Sequence, residues 1–100
     1  MKGQKAEDRV ENALRRAGAK VKSPKASRGS ADKIATWESG RKWFTQVKYS
    51  GTKRPAGLSP QERQNLISRA KRNKGTAVLA QVTPEKIKYT SVKTGRRLKP

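Results

Sequence analysis

The sequence predicts a single α/β domain in which helices flank a central mixed β-sheet, with the elements in the order αβββαββ. Apolar residues recur at helical spacing near the N-terminus, and a helix-capping signature lies near the middle of the chain. Short β-rich runs lie between and after these two segments. A chain of 100 residues suffices for one domain, assigned to residues 1–100, and no repeat or low-complexity segment divides it.

The first helix is predicted over residues 3–17. The small and apolar residues that recur at helical spacing are Ala6, Val10, Ala13, Leu14 and Ala17. Gly18 follows at the position of a helix C-cap. Residues 19–23 then predict a short strand, and residues 24–30 predict an exposed basic loop.

A β-hairpin is predicted next. Residues 31–37 and 42–50 are rich in β-branched and aromatic side chains, and the turn sequence ESGR separates them. We expect most of these aromatic side chains to pack in the core rather than to stack on bases. Residues 51–57 are rich in glycine, proline and basic residues, which indicates a loop.

The second helix is predicted from the sequence SPQE at residues 59–62. It supplies a hydroxyl at the N-cap, proline in the first turn, and a glutamate placed to close a capping box. The helix should run to about Arg72. Residues 76–82 and 87–92 predict two strands, and residues 93–100 predict a basic tail.

The charge of the chain indicates its partner. Lys and Arg number 26 against 7 acidic residues, which gives a net charge of +19. Such an excess is best neutralised by a polyanion, so we expect nucleic acid. A membrane-surface protein would concentrate its positive charge on one amphipathic helix, whereas here basic residues occur in every segment.

Composition also bears on location and assembly. No apolar run approaches the roughly 20 residues of a membrane span, and the N-terminus leads into no signal-peptide core. We therefore expect a soluble cytoplasmic protein with no membrane partner, encoded by a cellular or a viral gene. Because a hydrophobic content of 31% is low for a core of this size, a homodimer would supply additional burial.

The chain contains neither Cys nor His. This excludes disulfides, zinc ribbons, thiol nucleophiles and histidine bases. Any catalysis must therefore use carboxylates, Lys, hydroxyls and a hard metal ion. Mg²⁺ is the expected ion, and Mn²⁺ can substitute for it, because both prefer oxygen ligands.

One set of polar residues is suited to phosphodiester hydrolysis. Asp32 opens the first hairpin strand, and Gln46 and Lys48 share one face of the return strand by period-two alternation. Oxygen ligands can hold Mg²⁺, while an ammonium polarises water or neutralises charge on the phosphate. Glu7, at the edge of the apolar stripe, can add a second carboxylate, and Glu11 is the reserve candidate.

These residues lie in motifs that resemble a known family. Residues 6–11 (AEDRVE), 27–35 (SRGSADKIA) and 46–48 (QVK) resemble the signature of archaeal-type Holliday-junction resolvases. That family belongs to the restriction-endonuclease-like PD-(D/E)XK superfamily. The resemblance covers about residues 3–50 and implies the restriction-endonuclease-like fold. It also implies metal-dependent cleavage of four-way DNA junctions by a homodimer.

The resemblance also implies roles for individual residues. Glu7, Asp32 and Gln46 would be the metal-site side chains, the Val47 carbonyl a backbone ligand, and Lys48 the catalytic lysine. Gln46 departs from the family, where glutamate is commoner. An amide oxygen still ligates but carries no charge, so metal affinity should depend more on the two carboxylates, and the number of metals is left open.

Several alternatives remain open. QVK followed by GLSPQ at residues 57–61 is similar to virus-type replication-repair nuclease domains, which would make the substrate a flap or a single strand. Composition alone equally predicts a non-catalytic nucleic-acid-binding protein. For either DNA-directed function, we expect phosphate contacts from the loops flanking the site, through Lys25, Arg28, Lys53 and Arg54.

Overall fold

The computed structural model describes residues 3–24, 31–50 and 57–100. Two helices and six strands occur within these ranges. In chain order they are α1 (Gly3–Arg16), β1 (Lys20–Lys22), β2 (Lys33–Thr36), β3 (Lys42–Tyr49), α2 (Pro60–Arg72), β4 (Thr76–Val82), β5 (Ile87–Ser91) and β6 (Arg97–Leu98).

All six strands form one sheet whose spatial order follows the sequence from β1 to β6. The central pair, β3 and β4, is parallel, with Trp43 beside Thr76 and Tyr49 beside Val82. Parallel neighbours require a crossover, and α2 supplies it. The other neighbouring strands are antiparallel, so the sheet is mixed as predicted.

The two helices pack against opposite faces of the sheet. Ala6, Val10 and Leu14 of α1 are fully buried in a cluster that includes Trp43 and Val47 of β3. A second cluster joins Leu66 and Ala70 of α2 to Phe44 of β3 and Ala77 of β4. Because side chains alternate along a strand, odd-numbered residues of β3 face α1 and even-numbered residues face α2.

The capping box predicted for α2 is present. The Ser59 side chain accepts a hydrogen bond from the Glu62 N–H at 3.2 Å, and Glu62 Oε1 accepts one from the Ser59 N–H at 3.0 Å. Both bonds satisfy backbone donors that the first helical turn leaves unpaired. The predicted start of α2 is thereby confirmed.

The ends of most elements lie within one residue of the prediction, but the start of β2 and the C-terminal segment differ more. β2 begins at Lys33, so Asp32 precedes the strand instead of opening it. Residues 93–100 are more than a tail, because β6 pairs with β5 after a turn in which Gly95 adopts a φ of 77°. A strand of two residues is too short for periodicity to reveal it. The predicted hairpin of β2 and β3 and the predicted span of β4 are confirmed.

Neither α1 nor α2, the helices found in the described ranges, combines the length and the apolar composition required of a membrane-crossing segment.

Candidate active site

Asp32 is fixed to the middle of β3 by two hydrogen bonds. Its N–H donates to the Thr45 carbonyl at 2.9 Å, and its Oδ2 accepts from the Val47 N–H at 2.8 Å. β2 begins at Lys33, which pairs with Thr45 of β3. Asp32 comes just before this pair, and its carboxylate accepts the N–H of Val47, two residues farther along β3. The two bonds bracket Gln46, which places the carboxylate beside that residue of the central strand.

Glu7 brings a second carboxylate to this region. It follows the buried Ala6 in α1, the helix that covers the Val47 face of the sheet, and it is itself half-buried. Burial raises the pKa of Glu7 above its ordinary value, and the negative charge of Asp32 raises it further. The nearby Lys33 opposes the effect. Two carboxylates that repel each other in a partly desolvated place favour the binding of a proton or a cation.

Gln46 adds a neutral oxygen. The residue is only 8% exposed, and its Oε1 is buried without a hydrogen-bond partner among the described residues. A buried acceptor left unpaired costs about 1–3 kcal/mol. Such an oxygen is suited to receive a donor or a cation from outside the chain.

The chemistry of these groups suits a hard divalent cation, but among them the structure relates Glu7 only to Asp32, because Gln46 faces α2 and Glu7 lies on α1 at the opposite face of the sheet. Glu7 and Asp32 supply negative charge, and Gln46 supplies an unpaired oxygen, which is the donor chemistry that Mg²⁺ and Mn²⁺ prefer. Within the described ranges, no three His, Cys, Asp or Glu side chains come together as a metal-binding group. A cation held here would therefore rely on two carboxylates and on neutral oxygens, and the Val47 carbonyl remains a predicted ligand.

Lys48 lies on the α2 face of β3, as does Gln46. Its Nζ lies 2.8 Å from Glu62 Oε2 in the first turn of α2. The hydrogen bond from Lys48 lowers the pKa of Glu62 below its ordinary value, and the Ser59 N–H lowers it further. From the sequence Glu62 was recognised only as a helix cap. No signal in the sequence indicated that its second carboxylate oxygen pairs with Lys48.

Lys33 was not predicted to contribute to the site. The residue is 3% exposed, and its Nζ donates to Glu11 Oε1 at 3.0 Å and to the Ser23 hydroxyl. Glu11 also pairs with Arg15 at 3.3 Å. Glu11 thus has structural partners, while Lys33 places a buried positive charge near Glu7.

The four residues predicted to contact DNA lie outside the described residues. They are Lys25, Arg28, Lys53 and Arg54. Both segments that contain them adjoin the site in sequence, since one precedes Asp32 and the other follows β3. Their roles remain predictions.

Comparison with known proteins shows the fold. No protein-family model matches the chain, and no curated protein matches it in sequence. Among solved structures, 21 chains match. One is the 1.6 Å structure of Archaeoglobus fulgidus Hjc, a Holliday junction resolvase from an archaeal hyperthermophile. It matches with a TM-score of 0.82 and 22% identity over 93% of this chain and 75% of that chain. The predicted α/β, restriction-endonuclease-like fold is therefore confirmed.

Proposed function

We propose that this chain is a metal-dependent endonuclease that cuts branched DNA, with four-way junctions as its leading substrate. The observation that carries the proposal is the attachment of Asp32 to β3 on either side of Gln46, through its backbone N–H and its carboxylate, where the carboxylate charge reaches Glu7. The fold shared with the Archaeoglobus resolvase and the net charge of +19 support the same function.

The residues of the site have distinct tasks in this reaction. Glu7, Asp32 and Gln46 would hold the cation. When bound, Mg²⁺ or Mn²⁺ supplies Lewis-acid chemistry to the phosphate and to water. The Lys48 ammonium neutralises the negative charge that develops on the phosphate. In the hydrolysis, a water oxygen bonds to phosphorus and gives up a proton to the solvent, one P–O bond breaks, and the leaving oxygen takes up a proton.

DNA would be recognised by shape. Lys and Arg contacts to phosphates carry no base information, so an excess of them favours a substrate defined by its branches. A homodimer would present two sites related by a two-fold axis, which suits paired incisions across a junction. Affinity should fall by about 0.9 log units per log unit of salt for each phosphate neutralised. A flat salt response would contradict this mode of binding.

The test is cleavage of a labelled four-way junction, a flap, a single strand and a plain duplex, each with Mg²⁺ or Mn²⁺. Asp32→Asn should abolish cleavage while preserving binding and folding, because the amide oxygen can still accept from the Val47 N–H. Glu85→Gln, an exposed carboxylate after β4, is the matched control and should cut normally.

The outcomes separate the candidate functions. Paired nicks in the junction alone, lost with EDTA and with Asp32→Asn, would support a resolvase. Preferential cutting of the flap or the single strand would identify a nuclease of the same fold with a different substrate. Binding of all four DNAs without metal-dependent cutting would contradict the proposal and would indicate a protein that acts by binding.

A further inference from the structure

Glu62 uses its two carboxylate oxygens for different partners. Oε1 accepts the Ser59 N–H at 3.0 Å and closes the capping box, whereas Oε2 lies 2.8 Å from Lys48 Nζ. The first bond fixes the carboxylate to the start of α2. The second holds the end of a long, flexible side chain of β3 against that fixed point.

The contact with Lys48 is not required for the helix cap. Oε1 and the Ser59 hydroxyl already complete the capping box. The side chains of Lys48 and Glu62 are 28% and 29% exposed, and ion pairs accessible to water contribute about 0–1 kcal/mol to stability. The ion pair between Lys48 and Glu62 therefore contributes little to stability.

Positioning gives a stronger reason for this pair. A lysine side chain carries about 2 kcal/mol of rotamer entropy, which must be lost when its ammonium takes up one place beside a reacting phosphate. If the side chain is already held in the free protein, part of this entropy is lost before DNA binds. Lys48 shares its face of β3 with Gln46, so the held ammonium remains on the side of the strand that carries the unpaired amide oxygen.

We propose that Glu62 is a positioning residue, which holds the Lys48 ammonium in place for phosphodiester cleavage. The inference rests on the proposed endonuclease function. It assigns to the first turn of α2 a task in the reaction besides capping. The lowered pKa of Glu62 is consistent with this role, because the carboxylate stays charged under the near-neutral conditions of a cleavage assay.

Two matched variants separate positioning from capping. Glu62→Gln retains an oxygen for the Ser59 N–H but loses the charge that holds Lys48. Ser59→Ala removes the hydroxyl that accepts the Glu62 N–H but leaves the carboxylate facing Lys48. We expect Glu62→Gln to lower the single-turnover cleavage rate about tenfold without changing the Kd for the junction. Ser59→Ala should lower the Tm and leave that rate unchanged.

A double-mutant cycle tests whether Glu62 acts through Lys48. The single-turnover rate is measured for Lys48→Met alone and for Lys48→Met combined with Glu62→Gln. If Glu62 acts only by holding Lys48, the second substitution causes no further loss. Losses that multiply would overturn the inference, because Glu62 would then act on the rate by another route.

The failure of this inference differs from the failure of the proposed function. If the unmodified protein cuts none of the DNAs, the endonuclease proposal falls, and the positioning role falls with it. If it cuts while Glu62→Gln cuts at the full rate, only the positioning role is overturned. Carboxyl NMR gives a readout without activity: Lys48→Met should move the titration of Glu62 to higher pH, and an unmoved titration would overturn the inference.

Discussion

Glu7 and Asp32 interact as like charges across the gap between α1 and the start of β2. The burial of Glu7 and, to a smaller extent, this repulsion raise the pKa of Glu7. In the absence of a cation, the ionised form of Glu7 is therefore a cost to the folded state. The same arrangement favours binding of a divalent ion, because the ion neutralises both carboxylates.

The first prediction is that Glu7→Gln stabilises the metal-free protein at neutral pH. Because the pKa of Glu7 is raised in the folded state, the free energy of unfolding falls as the pH rises from the ordinary glutamate pKa through the folded-state pKa. Above the folded-state pKa the full loss of stability is present. Glutamine removes this loss. Thermal unfolding in EDTA at pH 7 should show a higher Tm for the variant, and the difference should vanish at a pH below the ordinary glutamate pKa. A lower Tm at pH 7 would contradict the prediction.

The second prediction concerns the pH dependence of cation binding. Ligation requires an ionised Glu7, and its raised pKa makes it protonate earlier than an ordinary glutamate as the pH falls. The Mg²⁺-induced rise in Tm should therefore decline at a mildly acidic pH at which exposed carboxylates are still ionised. In Asp32→Asn one repelling charge is gone, so the pKa of Glu7 should be less raised. The weaker Mg²⁺-induced rise in Tm that this variant retains should therefore decline at a lower pH than in the unmodified protein. Thermal unfolding with and without Mg²⁺ at several pH values measures both declines.

The third prediction concerns the packing of Gly75, between α2 and β4. A Cβ at this position would lie 2.6 Å from the Phe44 ring and 3.0 Å from the Lys42 carbonyl. Gly75→Ala should therefore lower the free energy of unfolding by about 1–3 kcal/mol, as overpacking does. Gly57→Ala is the control, since no described atom lies within 4 Å of its Cβ. Equal denaturant midpoints for the two variants would refute this account.

Local signals in the sequence predicted much of the fold. The start of α2 was predictable because Ser59 and Glu62 bond within one helical turn. The hairpin that carries Asp32 and Gln46 was predictable because its turn and its alternating strands lie close together in the chain. The strand β6 was missed because a pair of residues is too short to show a period.

The contacts around the site were less predictable because they join distant elements. The pairing of Lys33 with Glu11 depends on how α1 crosses the sheet, and the pairing of Lys48 with Glu62 depends on how α2 does. Nothing in the spacing between Lys33 and Glu11, or between Lys48 and Glu62, indicates that they pair. Likewise, the hairpin predicted that Asp32 lies near β3, but not that its carboxylate accepts the Val47 N–H.

The fourth prediction is that Lys33→Met destabilises the protein far more than Arg15→Met does. Both cations pair with Glu11, but the Lys33 side chain is 4% exposed and that of Arg15 is 57% exposed. Because Glu11 is itself partly exposed, removing the buried partner should cost about 1–3 kcal/mol, less than is typical of fully buried pairs. Removing the exposed partner should cost about 0.3–0.5 kcal/mol. Similar losses in urea unfolding would contradict the prediction.

The Lys33 variant should also change the response to acid. The hydrogen bond from Lys33 lowers the pKa of Glu11, so this contribution to stability is present above the ordinary glutamate pKa and is lost as pH falls through the lowered value. The difference in stability between the unmodified protein and Lys33→Met should therefore narrow in acid. A difference that stayed constant down to pH 2 would show that Lys33 stabilises by packing alone.

The fifth prediction concerns Gln46→Glu. The substitution adds a third carboxylate next to Asp32, at a position that is 8% exposed. Without a cation, this buried charge should lower the Tm. With Mg²⁺ the charge becomes a ligand, so affinity should rise about tenfold or more and the loss of Tm should be recovered. Gln46→Ala is the control, because it removes the oxygen and should weaken Mg²⁺ binding. If Gln46→Glu bound Mg²⁺ no more tightly than the unmodified protein, residue 46 would not be a ligand and the candidate metal site would reduce to its two carboxylates.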